Sequence, residues 1–171
     1  MDRDFLLIGL DGGATKVNGW NIVVRDGEFD IGQFNHAVSY HEFTGWSDKF
    51  QATDIQRQLK EFQSGRIKPG KKEIRQGEAY VEAAAEVVLK LVQKSGLKKV
   101  LVGEGMPGLK TADKRGIAVM ANGPRITDYC DKMEKILKDY NIEFVEPIAE
   151  LGSDAFYCGI GEEYALEGQF K

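Results

Sequence analysis

The chain has 171 residues, 42% of them hydrophobic and 29% charged, with a formal net charge of −4; this is the profile of one globular domain, large enough to bury roughly 70% of its unfolded surface. The acidic balance argues against a nucleic-acid surface, no apolar run approaches the roughly 20 residues of a membrane span, and the apolar stretch before residue 11 is too short for a signal peptide. Cys130 and Cys158 are isolated, without C-x-x-C spacing, so they read as buried free thiols of a reducing cytoplasm rather than as a disulfide or metal pair.

In chain order, the apolar run 6–10 predicts a strand, and residues 17–24 alternate, with Trp20, Ile22 and Val24 on one face and Asn21 on the other. Between them lies Asp11-Gly12-Gly13-Ala14-Thr15-Lys16, which has neither the spacing of a Walker loop nor that of a dinucleotide fingerprint, and no helix follows it. It reads as a tight hairpin turn, in which Gly12 and Gly13 allow positive φ and close backbone approach to a ligand. Thr15 offers a hydroxyl and Lys16 a counter-charge for phosphate. Asp11 offers a carboxylate able to hold Mg²⁺ through water. On these residues alone, a plain glycine-rich turn stands beside a phosphate-binding one.

Residues 28–39 predict a third strand, completing an antiparallel meander. An inserted segment of about 40–70 follows, longer than most loops. Within it Thr53-Asp54-Ile55-Gln56 has capping-box form, and Ile55, Leu59 and Phe62 share one face before Gly65. The basic run Arg66, Lys68, Lys71, Lys72 and Arg75 reads as a solvated linker and helix start. Helical spacing of Val81, Ala84, Ala85, Val88, Leu91 and Val92 predicts a long amphipathic helix stopped at Ser95-Gly96. A short strand at 100–102 comes next. Thr127 is positioned to cap a helix with the stripe Cys130, Met133, Ile136, Leu137 and Tyr140, stopped by Asn141. A strand at 142–145 and a last helix over about 153–167 complete the order. A meander feeding two βα units predicts an α/β fold, a mixed sheet with helices on its faces, whose ligands gather at the carboxyl ends of the parallel strands. His36 and His41 lack metal-ligand spacing and read as ordinary strand or loop residues.

The turn at 11–16 resembles the first phosphate motif of the actin-like superfamily of sugar kinases and ATPases. Gly103-Glu104-Gly105-Met106-Pro107-Gly108, with Asp113 and Gly116 beyond it, resembles the Pro-Gly sugar loop of the ROK family (repressors, open reading frames and kinases). Ser153-Asp154-Ala155 with the trailing Gly161-Glu162 resembles that family's Asn-Asp-Ala segment, in which the Asp is the catalytic base. On the residues alone, Ser153 or Asp154 as a plain helix cap competes with that role.

The resemblance implies a ribonuclease H-like, actin-like ATPase lobe spanning 1–171 as a single ROK-type N-terminal lobe. It implies a cytoplasmic, ATP- and Mg²⁺-dependent carbohydrate kinase with Asp154 as base and Asp11 on the metal. Gly12, Gly13, Thr15 and Lys16 would surround the nucleotide phosphates, and Pro107, Gly108, Asn122 and Ser153 would contact the sugar. The family's second lobe, with its adenosine site, is expected beyond Lys171, so the lobe alone is expected to be inactive; a homodimer stays open. Two departures are evident: Ser153 and Phe156 stand where the family has Asn, and Ala14 where related kinases have Gly, the Asp-Gly-Gly form being closer to the N-acetylglucosamine kinase-like branch. They keep a second reading alive, a non-catalytic sugar- or nucleotide-sensing regulator of the same fold. A dehydratase-activator ATPase would be expected to present cluster-ligating cysteines, which Cys130 in a helix stripe does not resemble.

Overall fold

A computed structural model describes residues 4–25 and 27–153. Twelve of its residues, Glu28–Ser39, form the edge strand β3, which pairs antiparallel with β2 (Lys16–Arg25); β2 in turn pairs antiparallel with β1 (Leu6–Gly12). The meander is therefore as the alternation predicts, with Asn21 on the face opposite Trp20, Ile22 and Val24. Val17, Gly19 and Asn21 point into the core and Trp20, Ile22 and Val24 lie on the half-buried opposite face. Asn21 tolerates burial because its side-chain oxygen accepts the Phe34 amide at 2.7 Å, beside a register shift between Trp20 and Ile22; a buried polar group with a partner costs little.

After a single 3₁₀ turn at Tyr40–Glu42, the inserted segment carries α1 (Ile55–Gln63). Its cap is Asp54, whose carboxylate accepts the Arg57 amide at 3.0 Å, one residue later than the capping-box reading. The fully buried member of α1 is Gln58 rather than the apolar stripe, since Ile55 is exposed and Leu59 and Phe62 are half-buried. α2 (Lys71–Ser95) begins a good two turns before the apolar repeat and stops at Gly96 with φ +75°, the left-handed C-terminal residue that glycine tolerates best.

Strand β4 (Lys99–Met106) runs parallel to β1. A small hairpin of β5 (Leu109–Lys110) and β6 (Ile117–Val119) follows, where the sequence predicts only loop. α3 (Tyr129–Asp139) starts after Asp128, not Thr127, and no side chain caps it; Asn141 stops it at φ 58°. β7 (Glu143–Phe144) and β8 (Leu151–Ser153) both pair parallel with β4, at its beginning and its end respectively. Ser153, where the last helix is predicted to begin, lies in strand β8. The rest of the predicted last helix, including Asp154, Phe156, Cys158 and Gly161, lies outside the described residues.

The sheet order is β3-β2-β1-β4-β7 with β8 beside the end of β4. One face, built from Leu6, Ile8, Leu10, Val17, Val100, Val102 and Met106, packs against α2 and α3 through Val87, Val88, Leu91, Met133 and Leu137. Cys130 is buried in this layer and burial pushes its thiol up to about 12, so it stays protonated and inert. No helix among the described residues is long and apolar enough to cross a membrane.

Candidate functional site

The parallel strands bring three separated motifs to one edge of the sheet. β1 ends at Gly12 in the 11–16 turn, β4 ends at Met106 before Pro107-Gly108, and β8 ends at Ser153, with Asp11 opposite Gly105 and Met106 opposite Ser153. The contact between the first two is close: a Cβ on Gly12 would lie 1.8 Å from the Met106 sulfur. Packing against Met106, not positive φ, is therefore the reason for glycine at 12, and Gly13 likewise has no positive φ. Positive φ is used instead at Gly108, at +90°, where a Cβ would meet the Val119 carbonyl oxygen at 2.3 Å. Any side chain there would push the Pro-Gly loop off the β5–β6 hairpin.

The 11–16 turn is held from behind. The Gly13 amide donates to the Lys16 carbonyl at 2.9 Å, closing the turn. The Tyr40 hydroxyl donates to the Gly13 carbonyl at 3.2 Å and the Tyr80 hydroxyl to that of Ala14 at 3.0 Å. The Thr15 carbonyl accepts from the Tyr40 amide and the Ser39 hydroxyl. With its carbonyls turned toward these donors, the turn is a rigid hairpin whose outer side chains, Asp11, Ala14, Thr15 and Lys16, are all exposed. Tyr40 and Tyr80 stack at 3.8 Å between ring centroids, and Trp46 stacks on both. Burial pushes the Tyr40 hydroxyl far up and that of Tyr80 up to about 12, so both remain donors across the physiological range.

The Pro-Gly loop is pinned by Lys110, whose ammonium donates to the carbonyls of Met106 at 2.6 Å and Gly108 at 2.9 Å. Beneath it lies Glu104, 1% exposed, accepting the Tyr129 hydroxyl at 2.6 Å through one oxygen; its other oxygen has no hydrogen-bond partner among the described residues. Burial pushes this carboxyl up to about 8, opposed in part by the Tyr129 bond and the Lys110 charge, so it is largely protonated at neutral pH. Sequence reasoning named Glu104 only as part of a glycine motif; an acid between two glycines at the end of an apolar strand was the signal. Lys110, Tyr40, Tyr80 and Tyr129 carried none, because their roles depend on partners distant in the chain.

Asn122 is exposed, in the segment after β6 that Gln58 and Arg125 tie to α1 and α2. Among the described residues no group of three metal-ligating side chains occurs. The Asp11 side chain is exposed at the end of β1.

The described residues form a mixed α/β fold with a mixed sheet. No protein-family model matches the chain, and no curated protein matches its sequence. Among solved structures it resembles the inorganic polyphosphate/ATP-glucomannokinase from Arthrobacter sp. strain KM, with 19% identity and a TM-score of 0.59 over 98% of this chain and 50% of that one. It also resembles a ROK family glucokinase from Streptomyces griseus in complex with glucose and AMPPNP, with 17% identity and a TM-score of 0.52 over 97% of this chain and 38% of that one. The chain thus spans half or less of the length of the kinases whose fold it shares.

Proposed function

We propose that the chain is the phosphate-binding lobe of an ATP-dependent carbohydrate kinase of ROK type, which transfers a γ-phosphoryl group to a sugar hydroxyl. The observation that carries this reading is the meeting of the 11–16 turn, the Pro107-Gly108 loop and Ser153 on the adjoining ends of β1, β4 and β8. Phosphoryl transfer asks mainly for alignment and charge neutralisation. In this reading Thr15 and Lys16 approach the nucleotide phosphates, while Gly12 and Gly13 let the backbone come close. Asp11 holds magnesium through water, and the metal supplies charge neutralisation when bound. Pro107, Gly108 and Ser153 shape the sugar side, with Asn122 as an outer contact, and Asp154 accepts the proton of the attacking hydroxyl. The polyphosphate/ATP and glucose-bound kinases that share the fold support a sugar acceptor and a phosphoanhydride donor, here assigned as ATP.

Steady-state phosphorylation of a sugar panel by the full-length protein tests the assignment. Asp154→Asn is expected to lower kcat by 10² or more while leaving sugar affinity nearly unchanged, the usual contribution of a general base. Turnover within a factor of about three of wild type would remove Asp154 from that role. The sensing alternative is favoured by Ala14 in the turn and Ser153 at the β8 end; it predicts saturable sugar binding by calorimetry with no phosphorylated product.

A further inference from the structure

Lys72 and Arg75, which read in the sequence as part of a solvated linker, line a cavity. The loop 45–50 folds against the first turns of α2 and encloses a pocket of about 410 Å³ bounded by Gly45, Trp46, Ser47, Lys49, Phe50, Lys72 and Arg75. Its walls are well fixed. Gly45 lies so close to α2 that a Cβ would come within 2.4 Å of the Arg75 carbonyl oxygen. The Ser47 amide donates to Gln76 at 2.8 Å, and the Arg75 guanidinium donates to the Thr44 carbonyl at 3.1 Å. Trp46 is held by the Tyr40–Tyr80 stack on one side and by its indole bond to Asp48 on the other.

The lining contains three cations and no carboxylate. None of the three forms a salt bridge among the described residues. A cationic trio without salt-bridge partners, beside the fixed Trp46 indole and the Phe50 ring, is chemistry for an anion carrying an apolar face. The volume is at the lower end of ligand pockets, which run from roughly 300 to 1,000 Å³, and suits one ring with one phosphate better than a nucleoside triphosphate.

We propose that this pocket binds a monosaccharide phosphate, with the phosphate on Lys49, Lys72 and Arg75 and the sugar ring against Trp46 and Phe50. None of its lining residues belongs to the strand-end motifs described above, although Trp46 stacks on the Tyr40–Tyr80 pair that holds the 11–16 turn, and the anionic half of the assignment stands without those motifs. The sugar half rests on the carbohydrate-kinase reading.

The test is calorimetry on the full-length protein with glucose 6-phosphate, in saturating glucose so that a kinase sugar cleft is already filled, and with tryptophan fluorescence followed in parallel. Saturable binding with a change in fluorescence is expected. Lys49→Gln and Lys72→Gln, both exposed and outside the phosphate turn, should each raise Kd about tenfold, the loss of one charge-assisted contact, with the circular dichroism spectrum unchanged. Absence of binding at millimolar concentration, binding abolished by glucose, or a Kd unmoved in both variants would overturn the site. Inorganic phosphate or adenosine monophosphate binding as tightly as glucose 6-phosphate would overturn the monosaccharide assignment. Because binding is read without turnover, failure here leaves the kinase reading to its own assay.

Discussion

Glu104 contributes one part of the pH response of the fold. Its carboxyl is raised to about 8 by burial, against an ordinary value of 4.5 in the unfolded chain. Between those values the folded state holds a proton that the unfolded state has lost, so stability is greatest below about 4.5 on this account and falls as pH rises toward 8. A pKa that is higher by one in the folded chain than in the unfolded one is worth roughly 1.4 kcal/mol. Glu104→Gln keeps the Tyr129 bond and cannot ionise. The variant is therefore expected to match wild type near pH 5 and to exceed it at pH 8, with denaturant midpoints across pH as the measurement; parallel curves would show that Glu104 does not titrate in this range. Glu61 works in the opposite sense, held down to about 2 by the Arg125 and Arg57 guanidinia, so its contribution is present above about 4.5 and fades as pH falls toward 2.

At the scale of elements, the inserted helix α1 is fixed by polar chemistry where an apolar stripe would be expected to do it. Gln58 takes the Met120 amide at 2.8 Å and donates to the Met120 carbonyl at 3.1 Å, as a neighbouring strand would. Arg125, with its side chain 1% exposed, forms a fork with both oxygens of Glu73 on α2 at 2.8 and 2.9 Å and reaches Glu61 on α1 at 2.5 Å. Burial would push Glu73 up, but the Arg125 side chain and backbone bonds outweigh it and hold the carboxyl below its ordinary value. Arg125→Met would leave Glu73 buried without a counter-charge, a change expected to cost about 3–5 kcal/mol in a denaturation experiment. Replacing Glu73 as well, by Gln, should recover a large part of it; if the double variant is no more stable than the single one, the loss comes from packing and not from the stranded charge.

Local chemistry made the elements legible in the sequence to the extent that it is local. The β3 strand and the Gly96 end of α2 follow from alternation and from a glycine at a left-handed stop, both read within a few residues. The inward turn of Asn21 depends on the Phe34 amide, 13 residues away, and on a register shift that alternation does not announce. The β5–β6 hairpin has strands of two and three residues, below any periodic signal. For the site, the three motifs were visible as strings, but their meeting follows from the parallel pairing of β1, β4 and β8, and the anchoring by Lys110, Tyr40 and Tyr80 is a tertiary property.

For the molecule as a whole, the described residues place one layer of helices on the sheet, and the strand ends carrying the proposed ligand groups are exposed at Asp11, Thr15, Lys16, Gly108 and Ser153. Charge stabilisation of a transferring phosphoryl group is strong only where water is excluded and both reactants are held in line. Among the described residues this edge is open, and the kinases whose fold the chain resembles are about twice as long or longer. The described residues share a continuous core between sheet and helices, so residues 1–171 are expected to unfold cooperatively when expressed alone. The same piece is expected to give no measurable sugar phosphorylation and only weak heat on titration with ATP and magnesium. Micromolar nucleotide affinity together with sugar turnover by these residues alone would show that the open edge suffices for catalysis, and the requirement for a second lobe would fall.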